Sequence, residues 1–235
     1  MTTTLTPHQR AVRSTVALKA MMAVTGLVLI CFLLMHCFGN LKLLLPGAGK
    51  AEFNEYAEFL KGDILYPIVP HGWFIWIFRL VLLVCAVLHM YSAIVLWQRA
   101  SKATPGKYAV HKALAPTYSY AARTQRWGGI ILALLLIWHL IQFTIAPQAV
   151  NGQATPADNV IAAFSQWYYV LIYAVFMAVV CLHVMHGFWS AFATLGANTS
   201  AKAQRVLSVL AHLISILLFV GFLATPIAIL GGLVA

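Results

Sequence analysis

Apolar residues run in five long blocks along this chain of 235 residues, separated by polar segments. A membrane-spanning helix needs about 20 mostly apolar residues. The blocks long enough are Ala20–Leu41, Trp73–Trp97, Trp127–Pro147, Trp167–Leu195 and Val206–Leu233, numbered here spans 1 to 5. Only span 2 contains a charged residue, Arg79. Polar and apolar positions do not alternate as in a membrane strand, so the pattern predicts helices rather than a barrel.

Composition supports an integral membrane protein of all-α class. The chain is 62% hydrophobic and 9% charged, whereas a soluble domain is about 45–50% apolar and about 25% charged. Span 1 is too long for a signal peptide and lacks a small-residue cleavage site after it, so we expect it to be retained. Without a linker or low-complexity segment, residues 1–235 are expected to form a single membrane domain.

Charge predicts how the chain crosses the membrane. The N-terminus, the segment between spans 2 and 3, and the segment before span 5 carry 11 basic residues and no acid (Arg10, Arg13, Lys19, Arg99, Lys102, Lys107, Lys112, Arg123, Arg126, Lys202 and Arg205). The opposite side has three lysines and all five acids. The positive-inside bias therefore puts the N-terminus in the cytoplasm and the C-terminus outside. These basic residues flank spans and form no separate domain, so a nucleic-acid partner is not expected.

Five histidines lie well inside the spans, where an ionisable group is costly and usually functional. They are His36 in span 1, His89 in span 2, His139 in span 3, and His183 and His186 in span 4. A single one could be a satisfied interhelical hydrogen bond, but four spans each carrying a histidine indicate a shared site.

Depth divides these histidines into two levels. His36 lies 17 residues after Lys19, and His139 lies 13 after Arg126, so both are about 20–25 Å from the inner end. His89 and the span 4 histidines fall in the inner half. Two levels with two imidazoles each predict two stacked haems in a four-helix bundle formed by spans 1 to 4. Zinc, which prefers four ligands together, fits this division less well. The chain has no C-x-x-C-H motif, so the haems would be held without covalent attachment.

Local motifs around these histidines resemble the di-haem cytochrome b membrane anchor of succinate:quinone oxidoreductases, the succinate dehydrogenases and fumarate reductases. The matching segments are FLLMHCFGN at His36, VLHMYSAIV at His89, QRWGGIILALLLIWH before His139, and LHVMHGFWSAFATLG at His183. The resemblance covers nearly the whole chain. It implies axial haem ligation by His36, His89, His139 and His183, with two b-type haems.

The resemblance also implies a function as anchor and electron-transfer subunit. Such anchors bind a FAD-containing flavoprotein and an iron–sulfur subunit on the cytoplasmic side, and pass electrons from succinate to a membrane quinone, often menaquinone. The segment from Arg99 to Arg126 is a candidate docking surface for these subunits. The alternatives are a di-haem cytochrome b of another respiratory oxidoreductase, such as a hydrogenase or formate dehydrogenase, and a haem-free membrane anchor or transporter.

Three details refine the expected haem and quinone sites. The motif favours His183 as the span 4 ligand, whereas depth alone favours His186. Gly26 and Gly129 each lie ten residues before a histidine, which puts them near the inner haem level, where they could give the porphyrin room. For the quinone, we expect a site at the outer end formed by His71, Arg79 and Glu58. An inner site near Ser14, Lys19 and Arg126 is the alternative.

Overall fold

The computed structural model describes residues 14–62, 64–103, 116–145 and 155–234, without the side chains of 116–123. These residues contain no β-strand, and their α-helices are α1 (Thr15–Leu41), α2 (Gly49–Lys61), α3 (Trp73–Ala103), α4 (Pro116–Leu140), α5 (Pro156–Phe164), α6 (Trp167–Thr194) and α7 (Ala201–Leu230). A 3-10 turn (Lys42–Leu44) extends α1, and a π-helical segment (Ile141–Ile145) extends α4. Five helices are long and apolar enough to cross a membrane, namely α1, α3, α4, α6 and α7. The all-α, five-span prediction is therefore confirmed.

Three of the long helices, α1, α4 and α7, begin before the apolar blocks that predicted them, and α3 ends after its block. Helix α1 begins at Thr15 rather than Ala20, because the Ser14 side chain accepts a hydrogen bond from the Ala17 backbone N–H and caps the helix. Helix α7 begins five residues before span 5, where Ser200 caps it in the same way. Polar residues can complete a helix outside the apolar layer because water and caps satisfy its end.

Helices α1, α3, α4 and α6 form an antiparallel bundle. Helix α1 packs against α3 and α6, and α4 packs against α6. Helices α3 and α4 meet through Trp97, Trp127 and Arg126. Helix α7 lies outside the bundle against α6 and α1. Gly221 permits that approach, because a side-chain carbon there would collide with the Cys37 sulfur.

The two short helices α2 and α5 cover one end of the bundle, called here the capped end. Asn54 of α2 accepts a hydrogen bond from the Ala157 backbone N–H of α5, and Lys50 pairs with Asp158 at 3.0 Å. Hydrogen bonds from Thr155, followed by the effect of Lys50, lower the pKa of the Asp158 carboxyl to about 2. The apolar blocks do not predict these helices, although T-P-A-D at Thr155 is a helix-start signal, with a capping residue and Pro at the first helical position.

The opposite end of the bundle, called here the basic end, carries several basic side chains. Arg99 donates a hydrogen bond to the Thr15 hydroxyl, and Arg126 lies over the Trp97 ring. Lys202 and Arg205 begin α7 on the same end. At the capped end, by contrast, each of the three lysines Lys42, Lys50 and Lys61 pairs with a carboxylate. The charge asymmetry along the sequence thus becomes a difference between two ends of one bundle.

Candidate functional site

His36 and His139 face one another across the bundle, toward the capped end. Their ring centroids are 5.9 Å apart, although α1 and α4 lie diagonally. The His36 ring stacks on Phe32 at 5.3 Å and meets Phe222 of α7 at 5.5 Å. The pair is therefore enclosed by apolar rings, and the fifth long helix contributes to its environment.

His89 and His183 form the second pair, on the other diagonal. Their ring centroids are 6.2 Å apart. The Nδ1 atom of His89 lies 3.1 Å from the backbone carbonyl of Met22 and 3.4 Å from the Thr25 hydroxyl, both on α1. A ring whose Nδ1 donates to a carbonyl has its Nε2 lone pair free for a metal, which is the usual arrangement of a ligating histidine.

His183 and His186 occupy different places on α6. His183 faces His89, whereas no ring contact of His186 with His89 is recorded among the described residues. The Nδ1 atoms of both are buried without a hydrogen-bond partner in the part of the chain described. The geometry therefore agrees with the motif rather than with the depth count, and it leaves His186 beside the site with an unused polar atom.

The two pairs fit the axial positions of haem. Two imidazoles bound to one iron would have their centroids about 6 Å apart, given metal–nitrogen bonds of about 2 Å, and the observed distances are 5.9 and 6.2 Å. No group of three or more His, Cys, Asp or Glu side chains able to hold a metal occurs within the described residues. Pairs suit haem, because the porphyrin supplies the other four ligands.

Gly26 and Gly129 lie at the level of the His89–His183 pair, as their spacing predicts. A β-carbon at Gly26 would lie 3.1 Å from His89 Cε1, and one at Gly129 would lie 3.8 Å from His183 Cε1. Each glycine is ten residues from the histidine of its own helix, so the two pairs are about 15 Å apart along the bundle. In the structure, the group that lies next to Gly26 is the imidazole ring of His89. From the sequence alone, we expect this glycine to give room to a porphyrin.

His139 contacts Tyr173, which in turn contacts Gln142, and neither residue is among the site residues predicted from the sequence. The Tyr173 hydroxyl lies 3.1 Å from His139 Nδ1 and donates a hydrogen bond to Gln142 Oε1 at 2.9 Å. Gln142 lies in the π-helical segment, three residues after His139. A polar residue inside an apolar block, on the face of a functional histidine, is the signal that could have identified it.

The three residues expected to bind quinone lie at or near the capped end and have local contacts. Glu58 accepts a hydrogen bond from Lys61 at 2.8 Å. The His71 ring is 6.1 Å from the Tyr66 ring, and the Arg79 guanidinium lies 5.0 Å from the centroid of the Trp76 ring. All three are exposed. These contacts do not join the three residues to one another.

No family model matches the chain, and neither the curated proteins nor the solved structures include a significant match. The assignment of a function therefore depends on the residues and their geometry.

Chemically, the arrangement can hold two planar groups within apolar walls at two depths. Each pair offers one imidazole from each of two diagonal helices. Paired imidazoles between apolar helices can hold a planar redox group and exclude water from it.

Proposed function

We propose that this chain is the membrane anchor and electron-transfer subunit of a succinate:quinone oxidoreductase. His89 and His183 would hold one b-type haem, and His36 and His139 would hold the other. The observation that carries the proposal is the diagonal pairing of these histidines at two levels, 6.2 and 5.9 Å between ring centroids. The motif resemblance at the same four histidines supports it.

In this proposal the protein's own residues determine what the site does. A b-type haem held by two imidazoles would supply one-electron redox chemistry and would leave no position for oxygen or a substrate. His139 and His89 are oriented through their Nδ1 atoms, by Tyr173 and by the Met22 carbonyl. The stacked levels would carry electrons along the bundle axis from the basic end toward the capped end.

The basic end would bind the flavoprotein and iron–sulfur subunits. Arg99, Arg126, Lys202 and Arg205 lie there, and no acid of the chain falls in the segments at that end. An acidic partner surface would be attracted to such a patch. Residues 104–115, in the middle of the segment expected to dock, lie outside the described residues.

A spectrum of the purified protein tests the proposal most directly. We expect a reduced-minus-oxidised difference spectrum of two b-type haems that acid acetone extracts. We also expect co-purification of a flavoprotein and an iron–sulfur subunit, and reduction of the haems by succinate. Absence of visible absorbance would favour a haem-free anchor instead. Haems accompanied by hydrogenase or formate dehydrogenase subunits would favour another di-haem cytochrome.

The proposed membrane orientation predicts on which side of the membrane a reporter fused to the protein lies. A reporter fused after Ala235 should lie outside, and one inserted between Lys102 and Lys112 should lie in the cytoplasm, because the basic residues flank the cytoplasmic ends of the spans. Paired alkaline phosphatase and fluorescent protein fusions measure this. The opposite pattern at both sites would reverse the orientation and put the basic end outside.

Quinone is proposed to bind at the capped end, close to Glu58, His71 and Arg79. We expect Glu58→Gln or His71→Ala to slow quinone reduction about tenfold or more, because a group that exchanges protons with the quinone is lost. Both haems should remain, and succinate should still reduce an artificial dye. Glu55→Gln is the matched control, since Glu55 is another exposed glutamate of α2. Full quinone activity in both variants, with loss in Ser14→Ala or Arg126→Ala, would move the site to the basic end.

A further inference from the structure

A buried chain of hydrogen bonds runs from His139 to Tyr173 and on to Gln142. His139 Nδ1 is 3.1 Å from the Tyr173 hydroxyl, and that hydroxyl is 2.9 Å from Gln142 Oε1. An amide oxygen can only accept, so the phenol O–H donates its hydrogen bond to Gln142 Oε1. The phenol oxygen is then left to accept the N–H of His139 Nδ1.

The surroundings isolate these two hydrogen bonds from water. Tyr173 is 7% exposed and Gln142 is 5% exposed. The rings of Phe143, Phe164 and Phe176 lie 5.0–6.1 Å from the Tyr173 ring. Hydrogen bonds in such a medium are stronger than in water. A hydroxyl that donates a hydrogen bond on one side is polarised by it, and its oxygen becomes a better acceptor for a second hydrogen bond.

Two features distinguish the hydrogen bonds of His139 from those of His89: the backbone at Gln142 and the kind of group that Nδ1 contacts. Gln142 belongs to the π-helical segment Ile141–Ile145, and such segments occur frequently at functional sites. The corresponding atom of His89 approaches a backbone carbonyl, that of Met22. A carbonyl of the helix backbone cannot be altered by substituting a side chain, whereas the partner of His139 can.

We propose that Tyr173, held by Gln142, is a positioning residue that orients His139 and lowers the reduction potential of the haem bound there. The inference rests on the proposed ligation of a haem by His139. An acceptor at Nδ1 raises the electron donation of the imidazole to the metal. Stronger donation stabilises ferric over ferrous iron, so loss of the acceptor raises the potential of that haem.

Replacement of the phenol by a ring without the hydroxyl tests this. In the whole complex, Tyr173→Phe should raise the midpoint potential of one haem by roughly 59 mV, which corresponds to a tenfold change in a one-electron equilibrium. The other haem should keep its potential. Tyr168→Phe is the matched control, because it makes the same change on the same helix at a phenol that is 43% exposed, and it should shift neither haem.

Gln142→Leu provides a second, independent measurement. Without its acceptor the Tyr173 hydroxyl remains, but its oxygen is a weaker acceptor, so we expect a smaller rise in the same potential. Because Gln142 acts through Tyr173, the double variant Tyr173→Phe/Gln142→Leu should show no more than the shift of Tyr173→Phe alone. If Tyr173→Phe loses that haem altogether, the midpoint potential of the same haem in Gln142→Leu tests the inference instead.

Each outcome either supports or overturns the inference. Unchanged potentials in Tyr173→Phe, or in Gln142→Leu where that variant decides, would overturn it, as would a shift of equal size in Tyr168→Phe. Either result leaves the proposed function intact, because both haems are present and titrate. A wild-type complex without haem would instead defeat the proposed function itself.

Discussion

His89→Ala and His183→Ala are expected to lose the same haem and to keep the other one. His36→Ala and His139→Ala should lose the second haem only. The two rings of each pair face one another across the bundle, 6.2 and 5.9 Å apart between centroids, so removal of either ring would leave the proposed haem with only one imidazole to hold it. Haem-to-protein ratios from the pyridine haemochrome spectrum, together with potentiometric titration of each variant, measure the effect.

Two further histidines serve as controls for this set. His212 lies in α7, where its Nδ1 is 2.7 Å from the Ser208 carbonyl four residues earlier; His212→Ala should retain both haems. His186→Ala should also retain both, because the ring opposite His89 is that of His183. Retention of both haems in His183→Ala, with loss of one in His186→Ala, would contradict the ligand assignment.

The spans and their histidine levels could be predicted from sequence because both follow from length along a helix. A membrane helix has a fixed rise, so counting residues from a flanking charge places His36 and His139 together, and His89 with a histidine of span 4. The same count places Gly26 and Gly129 beside the second pair, as the structure has them. Counting favours His186, although the ring opposite His89 is that of His183, since three residues is less than one turn and the choice depends on which side of α6 faces α3.

The capped end and the Tyr173 chain were not predictable in the same way. Helix α2 is short, and its fold depends on contacts with α5 more than 100 residues away, such as that of Asn54 with Ala157. Tyr173 meets His139 from another helix, so no spacing within either segment indicates the contact. Contacts of this kind depend on the rotational orientation of each helix about its own axis. Apolar blocks of nearly uniform hydrophobicity do not determine that orientation.

Gly26→Val is expected to remove the haem held by His89 and His183 while the other haem stays. Even a single β-carbon at position 26 would lie 3.1 Å from His89 Cε1 and 3.3 Å from its Nδ1, closer than an ordinary contact. The ring cannot easily move away, because Met22 and Thr25 of the same helix hold its Nδ1. Gly26→Ala should therefore weaken binding of that haem about tenfold, similar to the loss of a residue that orients a ligand, and the two further methyl groups of valine should abolish it.

Gly129→Ala is the matched comparison, because it makes the same change at the same level on the opposite helix. Its β-carbon would lie 3.8 Å from His183 Cε1, an ordinary van der Waals distance, so both haems should remain with unchanged potentials. Haem stoichiometry and redox titration distinguish the two positions. Equal loss in Gly26→Ala and Gly129→Ala would mean that the glycines make room for the porphyrin rather than for the imidazole of His89. Full retention of both haems in Gly26→Val would show that haem binding does not depend on the position that His89 occupies beside α1.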